Sequence, residues 1–411
     1  MEQLWSGAHP HARRRPCILS VFGTRPEAIK MAPVVKALDA AGLEAPVCLS
    51  GQHRHMADQV TGLFGIRPMA NLQVMRPGQG PDGVTTAVIN GLGPVLADLR
   101  PDCVLVHGDT ATTLGAAMAA FYARVPLAHV EAGLRTHDMD QPWPEEMNRR
   151  VTATLAGLHF APTPGAAANL VAEGVAPGAI EVTGNTGIDA LLWTRAQALT
   201  RPGTERAMQA AFPWTRESGA GQGTEQKAGS RRRMVLVTGH RRENLSRGLA
   251  GLVQALGRLA ARGDVDIVWP LHPNPAVRAA TAPLAERAGV HLIGPQDYAP
   301  FVWLMAQSHL ILTDSGGIQE EAPALGVPVL VTRTVTERGE ALSAGTARLV
   351  GTDPDRIVAE ATRLLDDPAA HGAMARATNP YGDGQAAGRI AKRLRVTFGE
   401  GADVVPLQAA S

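Results

Sequence analysis

The chain has few cysteines, no long apolar run and almost no net charge, and each shortage removes a class of explanation. Cys17, Cys48 and Cys103 are the only cysteines in 411 residues. They are odd in number, scattered and without metal-ligand spacing, so a disulfide framework is not expected. No apolar run approaches the roughly eighteen residues of a membrane span. The apolar stretch from Ile18 to Phe22, behind Arg13, Arg14 and Arg15, is too short for the core of a signal peptide, and a cytoplasmic protein is expected. A formal charge of +1 supplies no field to recruit nucleic acid or a membrane, so any positive site must be local. His53 and His55 stand at i,i+2 and would not share a helix face, and no other metal constellation occurs. Walker A, GxGxxG and nucleophile-elbow patterns are missing too, which argues against a P-loop, a dinucleotide fold and a serine hydrolase.

What is present is a soluble globular composition, 45% apolar and 19% charged, on a chain too long for one core, so two domains are expected. Short apolar runs alternate with helical patterns, as βα units on parallel sheets do. Strands are predicted at 17–22, 46–50, 102–107, 126–130, 158–162 and 179–183. They resume at 234–238, near 266–270 and 291–293, and at 310–313, 328–332 and 347–350. Helical patterns include 26–41, 112–123 and about 384–396. The predicted architecture is α/β, two doubly wound Rossmann-like domains. A loose extension covers 1–15, the first domain 16–186 and the second 187–380. Residues 381–411 form a helix packing back toward the first domain, then a tail. The Gly-rich polar stretch 215–233 reads as a flexible insertion in the second domain.

Five segments combine a strand end with chemically capable side chains. In Phe22-Gly23-Thr24-Arg25-Pro26-Glu27-Ala28-Ile29-Lys30, Thr24 and Glu27 have capping-box spacing and Pro26 suits a first helical turn. Arg25 and Lys30 beside a helix N-terminus suit an anion, or are solvated cations on a capped helix. In His107-Gly108-Asp109-Thr110, Asp109 orients a sugar, moves a proton or serves as the N-cap of the next helix. Val130-Glu131-Ala132-Gly133-Leu134-Arg135 precedes Pro142-Trp143-Pro144-Glu145-Glu146-Met147-Asn148-Arg149. Helical i,i+4 pairing accounts for Glu146 with Arg150, but not for Glu131 at a strand end. Thr238-Gly239-His240-Arg241-Arg242 offers a titratable histidine among cations suited to phosphate. Asp314-Ser315-Gly316-Gly317-Ile318-Gln319-Glu320-Glu321 places two glycines at a helix start, where backbone N–H groups approach a phosphate closely and Glu321 suits ribose hydroxyls.

In these segments, from about residue 17 to 397, the chain resembles the non-hydrolysing UDP-N-acetylglucosamine 2-epimerases. The resemblance implies a GT-B-like pair of domains facing a cleft. It implies reversible conversion of UDP-GlcNAc to UDP-ManNAc by loss of UDP to a 2-acetamidoglucal and re-addition, with no cofactor. Asp109, Glu131 and Glu145 would form the acid/base set, with Arg149 and His240 assisting. Arg25 and Lys30 would hold UDP from the first domain. His240, Ser315, Gly316, Gly317, Glu321 and Arg338 would hold it from the second, with Gln296 and Phe301 at uracil. Gln52, Arg242 and His272 fit a second, activating UDP-GlcNAc, although His55 and Gly78 replace polar groups that help there. Gly339 stands where the family usually has proline, which implies a more mobile loop and a weaker contact from Arg338. A homodimer feeding surface polysaccharide synthesis is the family expectation. The rival readings are a hydrolysing epimerase, an epimerase for a related UDP-2-acetamido or 2,3-diacetamido sugar, a GT-B glycosyltransferase and a non-catalytic UDP-sugar sensor.

Overall fold

The computed structural model describes residues 15–52, 54–215, 232–239, 247–272, 274–336 and 338–399. Their strands form two parallel sheets. The first contains β1 (Ile18–Phe22), β2 (Val47–Leu49), β3 (Ala70–Asn71), β4 (Cys103–His107), β5 (Leu127–Val130), β6 (Leu158–Ala161) and β7 (Ile180–Val182), in the order β3-β2-β1-β4-β5-β6-β7. The second contains β8 (Arg233–Thr238), β9 (Val265–Pro270), β10 (Val290–Ile293), β11 (Leu310–Thr313), β12 (Val329–Val331) and β13 (Ala347–Leu349), in the order β10-β9-β8-β11-β12-β13. Both orders reverse beside the first strand of the sheet. The reversal places a crevice at the carboxyl ends of β1 and β4 in one sheet, and of β8 and β11 in the other.

Why these residues make strands follows from burial. β1 and β4 are buried along their whole length, as central parallel strands covered on both faces must be, and apart from Ser20 and His107 they read as apolar runs. Leu19, Val21, Val104 and Val106 pack with Val84, Val88 and Leu92 of the helix Pro81–Leu99 and with Ala116, Ala117 and Ala120 of the helix Ala111–Tyr122. In the second sheet Val235, Val237, Leu310 and Leu312 pack with Leu252, Leu256 and Leu259 of the helix Arg247–Ala260.

The strands lie within a residue or two of their predicted bounds. β3 was not predicted. It is two residues long at a sheet edge, partly exposed, and has no apolar run to announce it. Arg233, assigned to the polar insertion, instead opens β8, and its guanidinium bonds to Asp264 and to the Leu365 carbonyl. Residues 216–231 of that stretch lie outside the described residues.

The chain divides into two compact units. One runs to Ala190 and resumes at Tyr381; the other is Leu191–Pro380. The returning segment is fastened within the first unit. Its helix Ala386–Phe398 packs on the helix Arg25–Ala40, and the Asp189 carboxylate accepts from Ala386 N–H at 3.2 Å and Ala387 N–H at 2.9 Å. Among the described residues no helix is long and apolar enough to cross a membrane, and no group of His, Cys, Asp or Glu is disposed to hold a metal ion.

Candidate active site

The turn after β1 is shaped by what fits. A Cβ on Gly23 would fall 1.7 Å from Ser50 Oγ, so only glycine passes there. Thr24 then caps the helix Arg25–Ala40 in a full capping box. The Glu27 carboxylate is 3% exposed and does more than cap. Its Oε2 accepts from Gly23 N at 2.9 Å, Thr24 N at 2.7 Å and Thr24 Oγ1 at 2.9 Å. Its Oε1 accepts from Thr110 Oγ1 at 2.6 Å and Thr113 Oγ1 at 3.2 Å. Glu27 therefore fastens the turn after β1 to the turn after β4, across the topological switch point.

Thr110, not Asp109, caps the helix that follows β4: its side chain accepts from Thr113 N at 3.2 Å. The capping alternative for Asp109 is thereby overturned, because the neighbouring hydroxyl already satisfies the helix end. Asp109 is left to meet Arg149, whose Nη2 donates to Asp109 Oδ2 at 2.5 Å. Asn148 Nδ2 donates to the Asp109 carbonyl at 2.8 Å, so the helix Glu145–Leu155 grips both backbone and side chain of this residue. Burial raises the Asp109 carboxyl above the usual range; Arg149 opposes that, and the nearby carboxylates of Glu131 and Glu145 reinforce it.

Glu131 follows β5 with φ +62°, a left-handed conformation that a residue with a Cβ seldom adopts and that directs its side chain off the strand line. Lys30 Nζ donates to Glu131 Oε2, and His107 Nε2 lies 3.2 Å from the same oxygen. Burial alone would raise this carboxyl; Lys30 and then His107 outweigh it and hold Glu131 well below the usual range. Lys30, expected on UDP, is thus turned to a carboxylate in this structure. Two neighbouring acids are thus shifted in opposite directions.

Glu146 also departs from its reading as a routine i,i+4 partner of Arg150. That pair exists, with Arg150 Nε at 3.0 Å, but the Glu146 side chain is fully buried. It also accepts from Thr136 N at 3.1 Å and His137 N at 3.3 Å, and lies 3.3 Å from Arg149 Nη1. Spacing along a helix reports which residues are neighbours, not which face is covered.

In the second unit, Ser315 precedes the short helix Gly316–Glu321 without spending its hydroxyl on a cap. Thr238 and Thr313, at the ends of β8 and β11, have their hydroxyls 2.6 Å apart, and Thr313 Oγ1 accepts from Ser315 N at 2.9 Å. A Cβ on Gly317 would meet open space. Glu321 is partly buried on this helix. Arg338 Nε pairs with the buried Glu320 at 2.6 Å, and Gly339 is the first residue of a helix to Ala344. Gln296 Nε2 donates to the Gly294 carbonyl at 2.8 Å, and Phe301 lies in the first turn of the helix Tyr298–Gln307.

The family model described as UDP-N-acetylglucosamine 2-epimerase matches residues 36–395. The chain belongs to the UDP-N-acetylglucosamine 2-epimerase family. It is 52% identical to the UDP-N-acetylglucosamine 2-epimerase of Escherichia coli K12, over 92% of this chain and 98% of the relative. It is 53% identical to a probable UDP-N-acetylglucosamine 2-epimerase of Ralstonia solanacearum, over 93% and 99%. A crystal structure of the Neisseria meningitidis UDP-GlcNAc 2-epimerase bound to UDP-GlcNAc superposes with a TM-score of 0.81 at 46% identity, covering 92% of this chain and 99% of that one.

For a member of the UDP-N-acetylglucosamine 2-epimerase family, the first unit brings two ion pairs, Lys30 with Glu131 and Arg149 with Asp109, near one another, with Glu131 and Glu145 both acting on Asp109. Arg25 opens the helix beside that set. His240 and Arg242 lie outside the described residues, as does the side chain of His55. Of the remaining activator candidates, Gln52 accepts from Thr112 Oγ1 at 2.9 Å. His272 is exposed, with Nδ1 accepting from Asn274 N at 3.3 Å. Gly78 has φ +74°. Sequence reasoning passed over Glu27, His107, Asn148 and Glu146. All four lie inside the quoted segments, but only their burial and partners mark them.

Proposed function

We propose that this family member catalyses the reversible C2 epimerisation of UDP-GlcNAc to UDP-ManNAc without a cofactor. The observation that carries the reading is a pair of neighbouring acids in contrasting surroundings: Glu131 meets Lys30 and His107, which hold its carboxyl low, and Asp109 meets Arg149 while burial raises its carboxyl. The C2 proton is weakly acidic, so its removal is coupled to breakage of the C1–O bond to UDP. The C2–H electron pair becomes the C1=C2 bond of a 2-acetamidoglucal, and UDP leaves with the C1–O pair. Return requires a UDP oxygen to attack C1 while C2 takes a proton on the opposite face. Two proton-transfer groups in different states suit the two faces.

In this reading Asp109, Glu131 and Glu145 transfer protons, and Arg149 and His240 assist. Arg25, Ser315, Gly316, Gly317, Glu321 and Arg338 hold the nucleotide diphosphate and ribose, and Gln296 and Phe301 hold uracil. Lys30 holds UDP alongside Arg25 and also pairs with Glu131. Gln52, Arg242 and His272 remain candidates for an activating UDP-GlcNAc. The reading includes a cytoplasmic homodimer whose product supplies surface polysaccharide synthesis.

Incubation with UDP-GlcNAc in D2O, followed by proton NMR, tests it. UDP-ManNAc carrying deuterium at C2 is the expected product. Free ManNAc with UDP would establish hydrolysis instead. Bound UDP without turnover or exchange would withdraw the acid/base assignments. Asp109→Asn and Glu131→Gln are each expected to lower kcat by at least about a hundredfold.

A further inference from the structure

We propose that Glu146 is a positioning residue for the proton transfers: it shares the Arg149 guanidinium with Asp109, and so sets how much of that charge reaches the Asp109 carboxylate. The inference rests on the reading of Asp109 as a proton-transfer group.

Arg149 stands between two carboxylates. Its Nη2 is 2.5 Å from Asp109 Oδ2 and its Nη1 is 3.3 Å from Glu146 Oε2. The Arg149 side chain is 12% exposed, that of Glu146 0% and that of Asp109 27%, so water screens the contact to Glu146 less than the contact to Asp109. Glu146 is held in its charged state: burial opposes ionisation, but the Thr136 N–H, Arg150 and Arg149 outweigh it. A fixed anion on the far side of a guanidinium draws its charge away from the nearer acid. Among the described residues, the charged groups acting most on Asp109 are Arg149, Glu131 and Glu145, and Glu131 is itself paired with Lys30 and His107. Those acting on Glu146 are Arg149 and Arg150, with Glu173 and its partner Arg135 beyond Arg150.

Glu146 has a second hold. Its bonds from Thr136 N and His137 N span the connection between Glu131 and Glu145. His137 has φ +62°, a conformation that persists only where its surroundings enforce it. One buried carboxylate thus fixes the segment joining two of the proton-transfer residues and apportions the cation that faces the third.

The test is the pH profile of kcat/KM for Glu146→Gln. Removing the competing anion leaves more of the Arg149 charge to Asp109, so the limb of the profile that reports Asp109 moves to lower pH by about half a unit or more, and the other limb stays. A merely structural glutamate would lower the amount of active enzyme without moving either limb, and superimposable profiles would overturn the proposal. Should Glu146→Gln fail to fold, Glu146→Asp carries the test: withdrawing the carboxylate by one methylene weakens its hold on Arg149, and the same limb moves acidward by less. An unmoved limb there also overturns it. Asp109→Asn distinguishes the two failures. If that variant epimerises normally, the reading of Asp109 is wrong; if it is inactive while Glu146→Gln leaves the profile unmoved, only the role of Glu146 falls.

Discussion

A single glycine shows how tightly the first unit constrains its carboxylates. Gly133, two residues after Glu131, has φ +89°, and a Cβ there would lie 2.2 Å from the Ala166 carbonyl oxygen. That oxygen belongs to backbone in the helix Pro164–Ala172 and cannot swing aside. Gly133→Ala is expected to cost about 2–4 kcal/mol, from a left-handed backbone and a forced displacement together. Because Glu131 shares the turn, kcat should fall as well. Urea titration and steady-state kinetics check both, and a variant matching the parent in each would show that the turn relaxes freely. At this scale the sequence was informative about residue type and blind to surroundings. Asp109 and Glu131 stood out because acids at strand ends are chemically conspicuous, and Glu145, at a helix start, through the family resemblance. Glu146 and Glu27 did not, because i,i+4 and capping-box spacing describe a solvated carboxylate and a buried one equally well. His107 sat in a quoted segment as the last residue of an apolar strand, and only the 3.2 Å approach to Glu131 gives it a role.

Elements were the most legible level, for a physical reason. Parallel strands covered on both faces must be apolar throughout, so each announces itself as a short run, and the turns that follow carry the Gly, Thr and Pro that helix starts demand. What such signals omit is how one helix start is tied to another. The helices Arg25–Ala40 and Ala111–Tyr122 are capped by Thr24 and Thr110, and Glu27 receives bonds from both turns. Loss of an ordinary cap costs about 1 kcal/mol. Glu27→Ala would orphan buried donors on two elements at once, and a loss of about 3 kcal/mol or more is expected. Thr110→Ala, which removes one cap and one of these bonds, should cost about half as much. Denaturant midpoints of the two variants compare them directly; equal losses would mean that Glu27 acts as a cap for its own helix alone.

At the scale of the whole molecule, the alternation of strand and helix patterns implied two doubly wound sheets, and both are present. The composition carried no sign that the two units differ in their response to acid, because that depends on which titratable groups are buried. In the first unit burial lowers His129 to about 3 and His159 to about 4. Such histidines stabilise the fold above their unfolded value of 6.5, and that contribution is lost as pH falls toward the folded value, since the unfolded chain takes up protons first. The same unit contains acids shifted the other way: burial raises Asp189 to about 6 and raises Asp109 as well. Protonating them favours the folded state as pH falls, which offsets the histidines. The second unit contains His309, lowered to about 4 by burial, then by His371 stacked on it at 4.0 Å and by Arg233. Its depressed carboxyls, Asp264, Glu360 and Asp366, lose their contribution only below the ordinary carboxylate range. Between about pH 6.5 and 4.5 the second unit should therefore lose stability at up to roughly 1 kcal/mol per pH unit, after discounting for the partial exposure of His309, while the first changes little. The buried Trp269 and Trp303 belong to the second unit and Trp143 of the first is exposed, so with Trp5 and Trp143 replaced by Phe tryptophan fluorescence reads the second unit. The urea midpoint followed at these tryptophans is expected to fall across that window, and His309→Asn should flatten the fall. A midpoint that stays level in the parent would mean that His309 takes up its proton in the folded state without penalty, and the assignment of acid sensitivity to the second unit would fail.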